Sequence, residues 1–461
     1  MSLNGPLGAT QGGAFELTTS SLDARTRSRS RLGLLGLAGL VVTGLAVTVA
    51  AAGTDSLLPE SVRPVPQWLA GPFGTTGIDF HVAGTIAALA LMFASYVVVV
   101  RRAGELSGRM VLVTIAALYA LVLLAPPLIS TDIFSYQAYA RMGTAYGANP
   151  YLIGPHAIAL DSVYPFVGAK WVNMPSVYGP LFTVLSYVLA PLSIAASVLA
   201  YKAAAVLASL ATVALVWNAA RLRGVDPVKA VALVALNPLL VVYGLGGGHN
   251  DLLMLAVMAA GIVLLLQRRE RLGAASLTVA AGVKLTAGVL LPFALAGAGR
   301  PLSTSRRRDI LIGAGVAGSL IAALSFSLFG TGLFKLIVTV HQSQAMGDWH
   351  SLPGFISSRL GLGTIGQVTG YLLSALMLAI VCWLVRKVWR GELDWLAGAG
   401  WATFAMLACA GSLMPWYLAW LLPLAAIGRD RRLLQAAIWL SGFVQFVELL
   451  GYIPHGGSIG L

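Results

Sequence analysis

Long apolar runs separated by short basic clusters dominate this chain and restrict it to one kind of fold. The first run, from about Leu32 to Gly53, has the roughly 20 residues that a helix needs to cross a bilayer. Only 10% of the 461 residues are charged, whereas soluble domains carry roughly 25%. The sequence therefore predicts an all-α protein, a polytopic bundle of membrane helices.

Lys and Arg outnumber Asp and Glu and give a formal net charge of +13. The basic residues lie between apolar runs, as in the cytoplasmic loops of membrane proteins, so the charge does not indicate a nucleic-acid partner. Membrane lipids are the expected surroundings. The clusters expected in the cytoplasm are Arg101, Arg102 and Arg109; Arg221 and Arg223; Arg268, Arg269 and Arg271; Arg306 to Arg308; Arg386, Lys387 and Arg390; and Arg429, Arg431 and Arg432.

Hydropathy and these clusters together predict about 11 to 13 crossings of the cell membrane. Residues 1–31 are expected to form a disordered basic tail in the cytoplasm and residues 32–461 the membrane domain, with the C-terminus outside. Residues 273–299 predict a re-entrant pair of half-helices around Lys284, and residues 178–195 must be re-entrant or peripheral. The simple crossings are expected near 32–53, 79–100, 110–129, 198–219, 229–247, 251–267, 310–330, 367–385, 395–412, 415–428 and 433–452.

Most of the unusual polar and aromatic residues fall on the predicted outer side. They lie in the long loop of residues 130–177 and in three shorter segments, 246–251, 341–350 and 414–417. We expect these four segments to converge on one outer site.

Asp132 follows an apolar run, where an acidic side chain is retained only at a cost, and this indicates a functional group. If residues 131–141 form a short helix on the membrane surface, Asp132, Tyr136 and Tyr139 share one face. Ser130 would cap that helix, and the helix dipole would favour the ionised Asp132 carboxylate. A carboxylate beside aromatic rings suits a general base for a sugar hydroxyl. The plain alternative is an N-terminal helix acid in a solvated loop.

No cofactor is predicted. His341, Asp348 and His350 match no zinc spacing, and Cys382 and Cys409 lie in apolar runs without the spacing of a metal or disulfide framework. The glycines before His249 lack the strand that a dinucleotide fingerprint requires.

Several short motifs give the chain a family resemblance. They are Thr131-Asp132 with Tyr136 and Arg141, then Gly147-Ala148-Asn149-Pro150-Tyr151, Tyr178-Gly179-Pro180-Leu181, His249-Asn250-Asp251, Gly282-Val283-Lys284 and Trp416-Tyr417. From about residue 80 onward the chain resembles the multi-spanning GT-C glycosyltransferases that use polyprenyl-phosphate sugars. It is most similar to the actinobacterial α-1,6-mannopyranosyltransferases of lipomannan assembly.

The resemblance implies transfer of mannose from decaprenyl-phosphate mannose, on the outer face, to a lipid-anchored mannan. It also implies an Asp base in an early outer loop, which matches Asp132 here. Inversion at the sugar needs one displacement, for which one base and a stabilised leaving phosphate suffice. The residues expected to bind the sugar or the acceptor are Tyr136, Tyr139, Asn149, Tyr151, Tyr178, Asp251, Trp416 and Tyr417.

The leaving phosphate needs donors, and the candidates are Arg141, Lys170, Lys284 and His249. A guanidinium can bind two phosphate oxygens, but Arg141 lies nine residues from Asp132, on another side of an ideal helix. An anchor to lipid headgroups explains Arg141 equally well. A charge at Lys284 needs a partner or a wet cavity. Asn250 is the expected N-cap of a helix.

Two other functions fit part of the sequence. A GT-C transferase for another polyprenyl-phosphate sugar would carry the same motifs. A secondary transporter or lipid flippase would also have many helices and broken segments, but it predicts a second mid-depth charge to partner Lys284, and none is visible in the sequence.

Overall fold

The computed structural model contains 17 α-helices and, within the residues it describes, no strand, so the predicted all-α class is confirmed. Six helices are long and apolar enough to cross a membrane, or seven if one bent pair counts as a single span. The predicted number of crossings requires the shorter apolar helices to cross as well, and it stays a prediction. The structure describes residues 13–53, 57–63, 65–74, 77–298, 304–345, 350–362 and 367–453.

The helices follow the predicted runs, with shifts at their ends. They are α1 Gly13–Gly53, α2 His81–Arg102, α3 Gly108–Leu124, α4 Asp132–Ala145, α5 Pro180–Tyr187, α6 Ile194–Arg223, α7 Pro227–Ala235, α8 Asp251–Leu266, α9 Glu270–Val283, α10 Leu290–Gly297, α11 Thr304–Phe329, α12 Lys335–Ala345, α13 Leu352–Arg359, α14 Gln367–Arg390, α15 Trp395–Ala408, α16 Leu418–Ile427 and α17 Arg431–Gly451. A π-helix spans Leu239–Leu245, and 3₁₀ turns span Glu60–Val62, Gly71–Phe73, Ala103–Glu105, Pro155–Ile158, Tyr164–Phe166, Ala169–Trp171, Leu285–Val289, Gly330–Phe334 and Pro415–Tyr417.

Helices α1 to α3 form one side of the bundle. Helix α1 begins inside the segment expected to be a disordered tail, and residues 1–12 lie outside the described residues. Helix α3 ends earlier than the predicted crossing 110–129. The reason is the pair Pro126 and Pro127, which lack the N–H groups that would continue the helix.

Helix α4 is not the surface helix that the sequence predicted. All residues from Ile133 to Ala140 are buried, on every face of the helix. Helices α5 and α6 and the rest of the outer loop cover it. The polar outer segment is therefore a folded part of the bundle and holds Asp132 at a fixed depth.

Two helices that reach the site are broken. The predicted crossing 229–247 bends by 47° between α7 and the π-helix, because Pro238 cannot continue α7 and disfavours a helical Asn237. The Asn237 side chain stabilises the break by accepting from the amide of Leu239 and donating to the hydroxyls of Tyr96 and Ser441.

The predicted break around Lys284 is confirmed. Helix α9 ends at Val283, Lys284 is extended (φ −150°, ψ 122°), and a 3₁₀ turn then leads into α10. Whether this pair of helices is re-entrant stays a prediction.

The loop predicted around residues 341–350 is partly helical. Helix α12 carries His341, and it continues from α11 through the 3₁₀ turn of residues 330–334. Asp348 and Trp349 lie outside the described residues.

The basic clusters meet at one end of the bundle. This agrees with the expectation that all of them lie on the same side of the membrane. Arg306 pairs with Glu270 at 2.6 Å, Arg223 pairs with Asp394 at 3.0 Å, and the Arg307 guanidinium lies over the ring of Trp389. These contacts join loops that are far apart in the sequence.

Gly179 provides a test of this packing, because its amide donates to the carbonyl of Val283 at 3.1 Å. A Cβ at Gly179 would overlap the carbonyl oxygens of Gly282 and Val283, which are main-chain atoms and cannot rotate away. We expect Gly179→Ala to destabilise the protein by about 1–3 kcal/mol, the usual cost of overpacking. Thermal unfolding in detergent measures the effect. The control is Gly315→Ala on α11, where the added methyl group meets no neighbour within 4 Å. If Gly179→Ala unfolds at the same temperature as this control, the assigned contact is contradicted.

Candidate active site

A cavity of about 1270 Å³ opens at the end of the bundle opposite the basic clusters. Three of the four segments predicted to converge line it directly: residues 130–132, 168–171 and 177 from the outer loop, 341–345 and 350 from the third segment, and 414–417. Residues 246–251 lie immediately behind the wall, where they contact Asp132 and Lys284. The convergence is therefore confirmed, with one segment acting as support.

Asp132 lies in the wall of the cavity, at the first turn of α4. Its side chain is 16% exposed, and its Oδ2 lies 3.1 Å from Nδ1 of His249. Ser130 is not the predicted cap of α4, because Thr131 is the N-cap residue; the Ser130 hydroxyl accepts from the amide of Asp132 at 3.2 Å. Burial raises the pKa of the Asp132 carboxyl, but His249, the charge of Lys284 and the hydroxyl of Tyr178 outweigh this and hold it below its ordinary value.

His249 does not face the cavity, so a direct contact with a ligand phosphate is excluded for this conformation. Its side chain is fully buried, and its ring stacks on Trp416 with centroids 3.6 Å apart. The approach to Asp132 has the distance of an ion pair, although its angle falls outside that of a hydrogen bond. His249 is therefore held between the carboxylate and an aromatic face, where it orients Asp132.

Lys284 lines the cavity and has a partner that sequence inspection missed. Its Nζ lies 2.7 and 2.9 Å from the two carboxylate oxygens of Asp251, and it also lies over the rings of Tyr417 and Trp420 at 4.7 and 5.1 Å. Trp420 donates from Nε1 to Asp251 at 2.6 Å. Because Asp251 is completely buried, its expected role in binding an acceptor is wrong, and its role is to neutralise Lys284.

Three residues predicted to bind sugar are instead structural. The Tyr139 hydroxyl donates to the carbonyl of Met174 at 2.8 Å, and the Tyr151 hydroxyl donates to that of Tyr178 at 2.9 Å. The Asn149 amide donates to the carbonyl of Phe329 at 2.7 Å. Neither tyrosine is solvent-exposed, and none of the three lines the cavity. They fasten the outer loop to its neighbours.

Tyr136 is buried beneath the site. It packs edge-on against Tyr178, and its hydroxyl accepts from the main-chain amide of Asn250 at 3.2 Å. Asn250 is the N-cap of α8, as predicted, but its side chain makes no capping hydrogen bond. Tyr136 therefore ties α4 to α8 and does not reach a ligand.

Arg141 is turned away from the cavity, as its offset from Asp132 predicted. Its Nη1 lies 2.7 Å from Asp161, and its Nη2 donates to the carbonyl of Leu192. Asp161 also accepts from the hydroxyl of Tyr146 and the amide of Val163. The predicted phosphate contact of Arg141 is wrong, because a buried carboxylate already occupies the guanidinium.

The cavity wall is rich in aromatic rings. Tyr178, Trp416 and Tyr417, all predicted as ligand contacts, lie in it, together with Trp171 and Trp420. Among the described residues, no group of three or more His, Cys, Asp or Glu side chains is placed to hold a metal ion. The arrangement combines a carboxylate, an ammonium group and aromatic rings around one open cavity.

Comparison with known proteins identifies the family of this chain. Residues 30–299 match the model described as alpha-(1→6)-mannopyranosyltransferase, N-terminal domain, and residues 343–459 match the model described as MptB C-terminal domain. The chain belongs to the alpha-(1→6)-mannopyranosyltransferase family. It is therefore a glycosyltransferase, and the predicted resemblance is confirmed.

Two relatives show how far the similarity of this mannopyranosyltransferase family member extends. The chain is 29% identical to alpha-(1→6)-mannopyranosyltransferase A of Mycobacterium tuberculosis over 374 residues, which cover 75% of this chain and 70% of that protein. It is 28% identical to alpha-(1→6)-mannopyranosyltransferase B of Corynebacterium glutamicum over 369 residues, 70% of this chain and 60% of that protein.

The pair of Arg141 and Asp161 gives a prediction about stability and pH. Burial raises the pKa of the Asp161 carboxyl, but the Val163 amide, Arg141 and Tyr146 together hold it below its ordinary value of about 3.9. A lowered pKa in the folded state contributes stability above pH 4 to 5 that is lost as the pH falls through the folded value. We expect Asp161→Asn to lower the unfolding temperature of this mannopyranosyltransferase family member at pH 7, with the difference from the native chain closing below about pH 4.

The control is Asp309→Asn, which breaks the more exposed pair of Asp309 and Arg271, where we expect little change. Thermal unfolding as a function of pH measures both variants. If the difference in unfolding temperature between the native chain and Asp161→Asn stays constant down to pH 3, the ion-pair assignment is contradicted.

Proposed function

We propose that this chain is an integral membrane α-1,6-mannosyltransferase that transfers mannose from polyprenyl-phosphate mannose to a lipid-anchored mannan. The observation that carries the proposal is the cavity in which Asp132, Lys284 and the rings of Trp416 and Tyr417 face one space. The family membership supports the reaction class, and its relatives' names supply the sugar and the linkage.

Asp132 is proposed as the general base. Its carboxylate is ionised at neutral pH, because its pKa lies below the ordinary value, and His249 behind it fixes its orientation. An acceptor hydroxyl attacks the anomeric carbon of mannose and gives its proton to Asp132 while the bond from that carbon to the phosphate oxygen breaks. The configuration inverts in this single step, and the donor leaves as a polyprenyl phosphate.

Lys284 is proposed to bind the phosphate of the donor. It is a cation in the wall of the cavity, 15% exposed at its side chain, and the two Asp251 oxygens leave part of its donor capacity for a ligand. A charge-assisted bond from the ammonium group would stabilise the charge that develops on the leaving phosphate. The aromatic rings of Trp416 and Tyr417 would stack on the apolar faces of the sugars.

The proposed topology places the N-terminus in the cytoplasm and the cavity on the extracytoplasmic face. The loop between α8 and α9 carries two arginines, Arg268 and Arg269, while α8 begins at Asp251, next to the cavity. Helix α6 likewise runs from the site end at Lys202 to Arg223 at the basic end. Since positive clusters are typical of cytoplasmic loops, the opposite end of these helices lies outside.

Removal of the base is the first test. We expect Asp132→Asn to lower transfer from polyprenyl-phosphate mannose by about 10²–10⁴-fold, the usual contribution of a general base. Radiolabelled mannose transferred to a mannosylated lipid acceptor measures the rate in membranes that contain equal amounts of each chain. Glu392→Gln, an acidic residue at the opposite end of the bundle, is the control, with native activity expected. Full activity of Asp132→Asn would remove Asp132 from the chemistry, and no transfer by the native chain would favour another sugar donor.

The phosphate contact is tested by removing both charges of the buried pair. Lys284→Met alone would leave the Asp251 carboxylate buried and unpaired, which is strongly destabilising. The double variant Lys284→Gln with Asp251→Asn avoids this. We expect it to fold and to raise the KM for the donor by about 10–100-fold, as for the loss of a hydrogen bond to a charged group. Transfer rates at varied donor concentration measure the effect, and an unchanged KM would contradict the assignment.

A further inference from the structure

A fully buried lysine lies under the site and takes no part in the chemistry proposed above. Lys202 is 1% exposed on α6, and it is the one Lys or Arg that is buried in the part of the chain that the structure describes. A buried cation is costly without a partner. None of the described carboxylates lies within ion-pairing distance of Lys202, so its partners must be sought elsewhere.

The Nζ of Lys202 donates to two main-chain carbonyls, those of Ala125 and Pro126. These carbonyls stand at the end of α3, where carbonyl groups lack helical partners and carry the negative end of the helix dipole. The lysine therefore works as a C-terminal cap supplied by another helix. It holds the start of the segment that leads from α3 to Asp132.

That segment is strained and needs to be held. Ile129 has a φ of +63°, a conformation that a β-branched residue rarely adopts. Such geometry persists only where neighbouring contacts fix it. Beyond the two carbonyls bound by Lys202, two main-chain hydrogen bonds fix this segment. The Leu128 amide donates to the Gly246 carbonyl, and the Ile129 amide donates to the Leu57 carbonyl.

The stem of Lys202 also supports the loop that carries His249. Gly248 has a φ of +61°, and a Cβ there would come within 3.4 Å of Cγ of Lys202. Lys202 thus contacts the segment before Asp132, and its stem lies beside the glycine before His249. It lies between the two chain segments whose side chains meet at 3.1 Å in the site.

We propose that Lys202 is a positioning residue that clamps the carbonyls of residues 125–126 and thereby fixes Asp132 against His249. Its consequence for the rate rests on the function proposed above. Its consequence for the structure does not, since the clamp must protect the amides of Leu128 and Ile129 whatever the substrate is.

The test compares Lys202→Met, which keeps the length of the stem and removes the donor, with Lys202→Gln, which keeps a neutral N–H donor. Lys229→Met, an exposed lysine on α7, is the matched control for the loss of one positive charge. Hydrogen exchange followed by mass spectrometry reports the amides of residues 128 and 129 in full-length chains in detergent. Initial rates of mannosyl transfer, normalised to folded protein, give kcat and KM.

For Lys202→Met we expect exchange at residues 128 and 129 to accelerate at least tenfold and kcat to fall at least tenfold with an unchanged KM for the donor. The exchange rates and kcat of Lys202→Gln should lie between those of Lys202→Met and those of the native chain. Lys229→Met should have the exchange rates and kcat of the native chain. If Lys202→Met does not fold, the same comparison with Lys202→Gln decides. Unchanged exchange would overturn the clamp, and faster exchange with an unchanged kcat would overturn the positioning of Asp132. If the native chain transfers no mannose, the proposed function fails, and the exchange result still decides the clamp.

Discussion

Ionisable groups inside an apolar bundle need partners, and the site depends on how this chain supplies them. Asp251 and Lys284 neutralise each other, with Trp420 as a second donor to the carboxylate. Asp132 lies against His249, and the ring of His249 is fixed by Trp416. Asp132 and Lys284 are therefore each held by a residue behind the wall, and their positions in the wall follow from these pairs.

Interrupted helices make these pairs possible. Helices α4 and α8 begin at Asp132 and Asp251, so both acids lie in first turns, where the helix dipole favours a carboxylate. Lys284 occupies the extended residue between α9 and the following 3₁₀ turn. A continuous helix at any of these places would satisfy its own main chain, and its side chains would face its neighbours or lipid instead of a cavity.

Much of this arrangement could be predicted from sequence, because the apolar runs, the prolines and the out-of-place charges are local signals. Asp132, Lys284 and Trp416 were found in this way. Arg141, Tyr139 and Tyr151 were assigned wrongly because a buried hydroxyl or guanidinium that donates within the protein has the same sequence appearance as one that faces a ligand. The Lys284 partner lies 33 residues away, and pairing over that distance depends on how helices pack. Lys202 carried the same signal as Lys284, a lysine in an apolar run, and it was overlooked when no second mid-depth charge was found in the sequence.

The ion pair of Lys284 and Asp251 affects how the phosphate product of the proposed reaction would be released. An ammonium group with no carboxylate partner and only 15% of its side chain exposed would hold a phosphate product tightly, since opposite charges attract more strongly in surroundings less polar than water. Because Asp251 stays paired with Lys284, departure of the phosphate leaves no unpaired cation behind. The pair can therefore stabilise charge while the phosphate leaves the sugar and still release the lipid phosphate. This is the balance that a transferase with a charged lipid product requires, and it explains why a buried acid accompanies the cation.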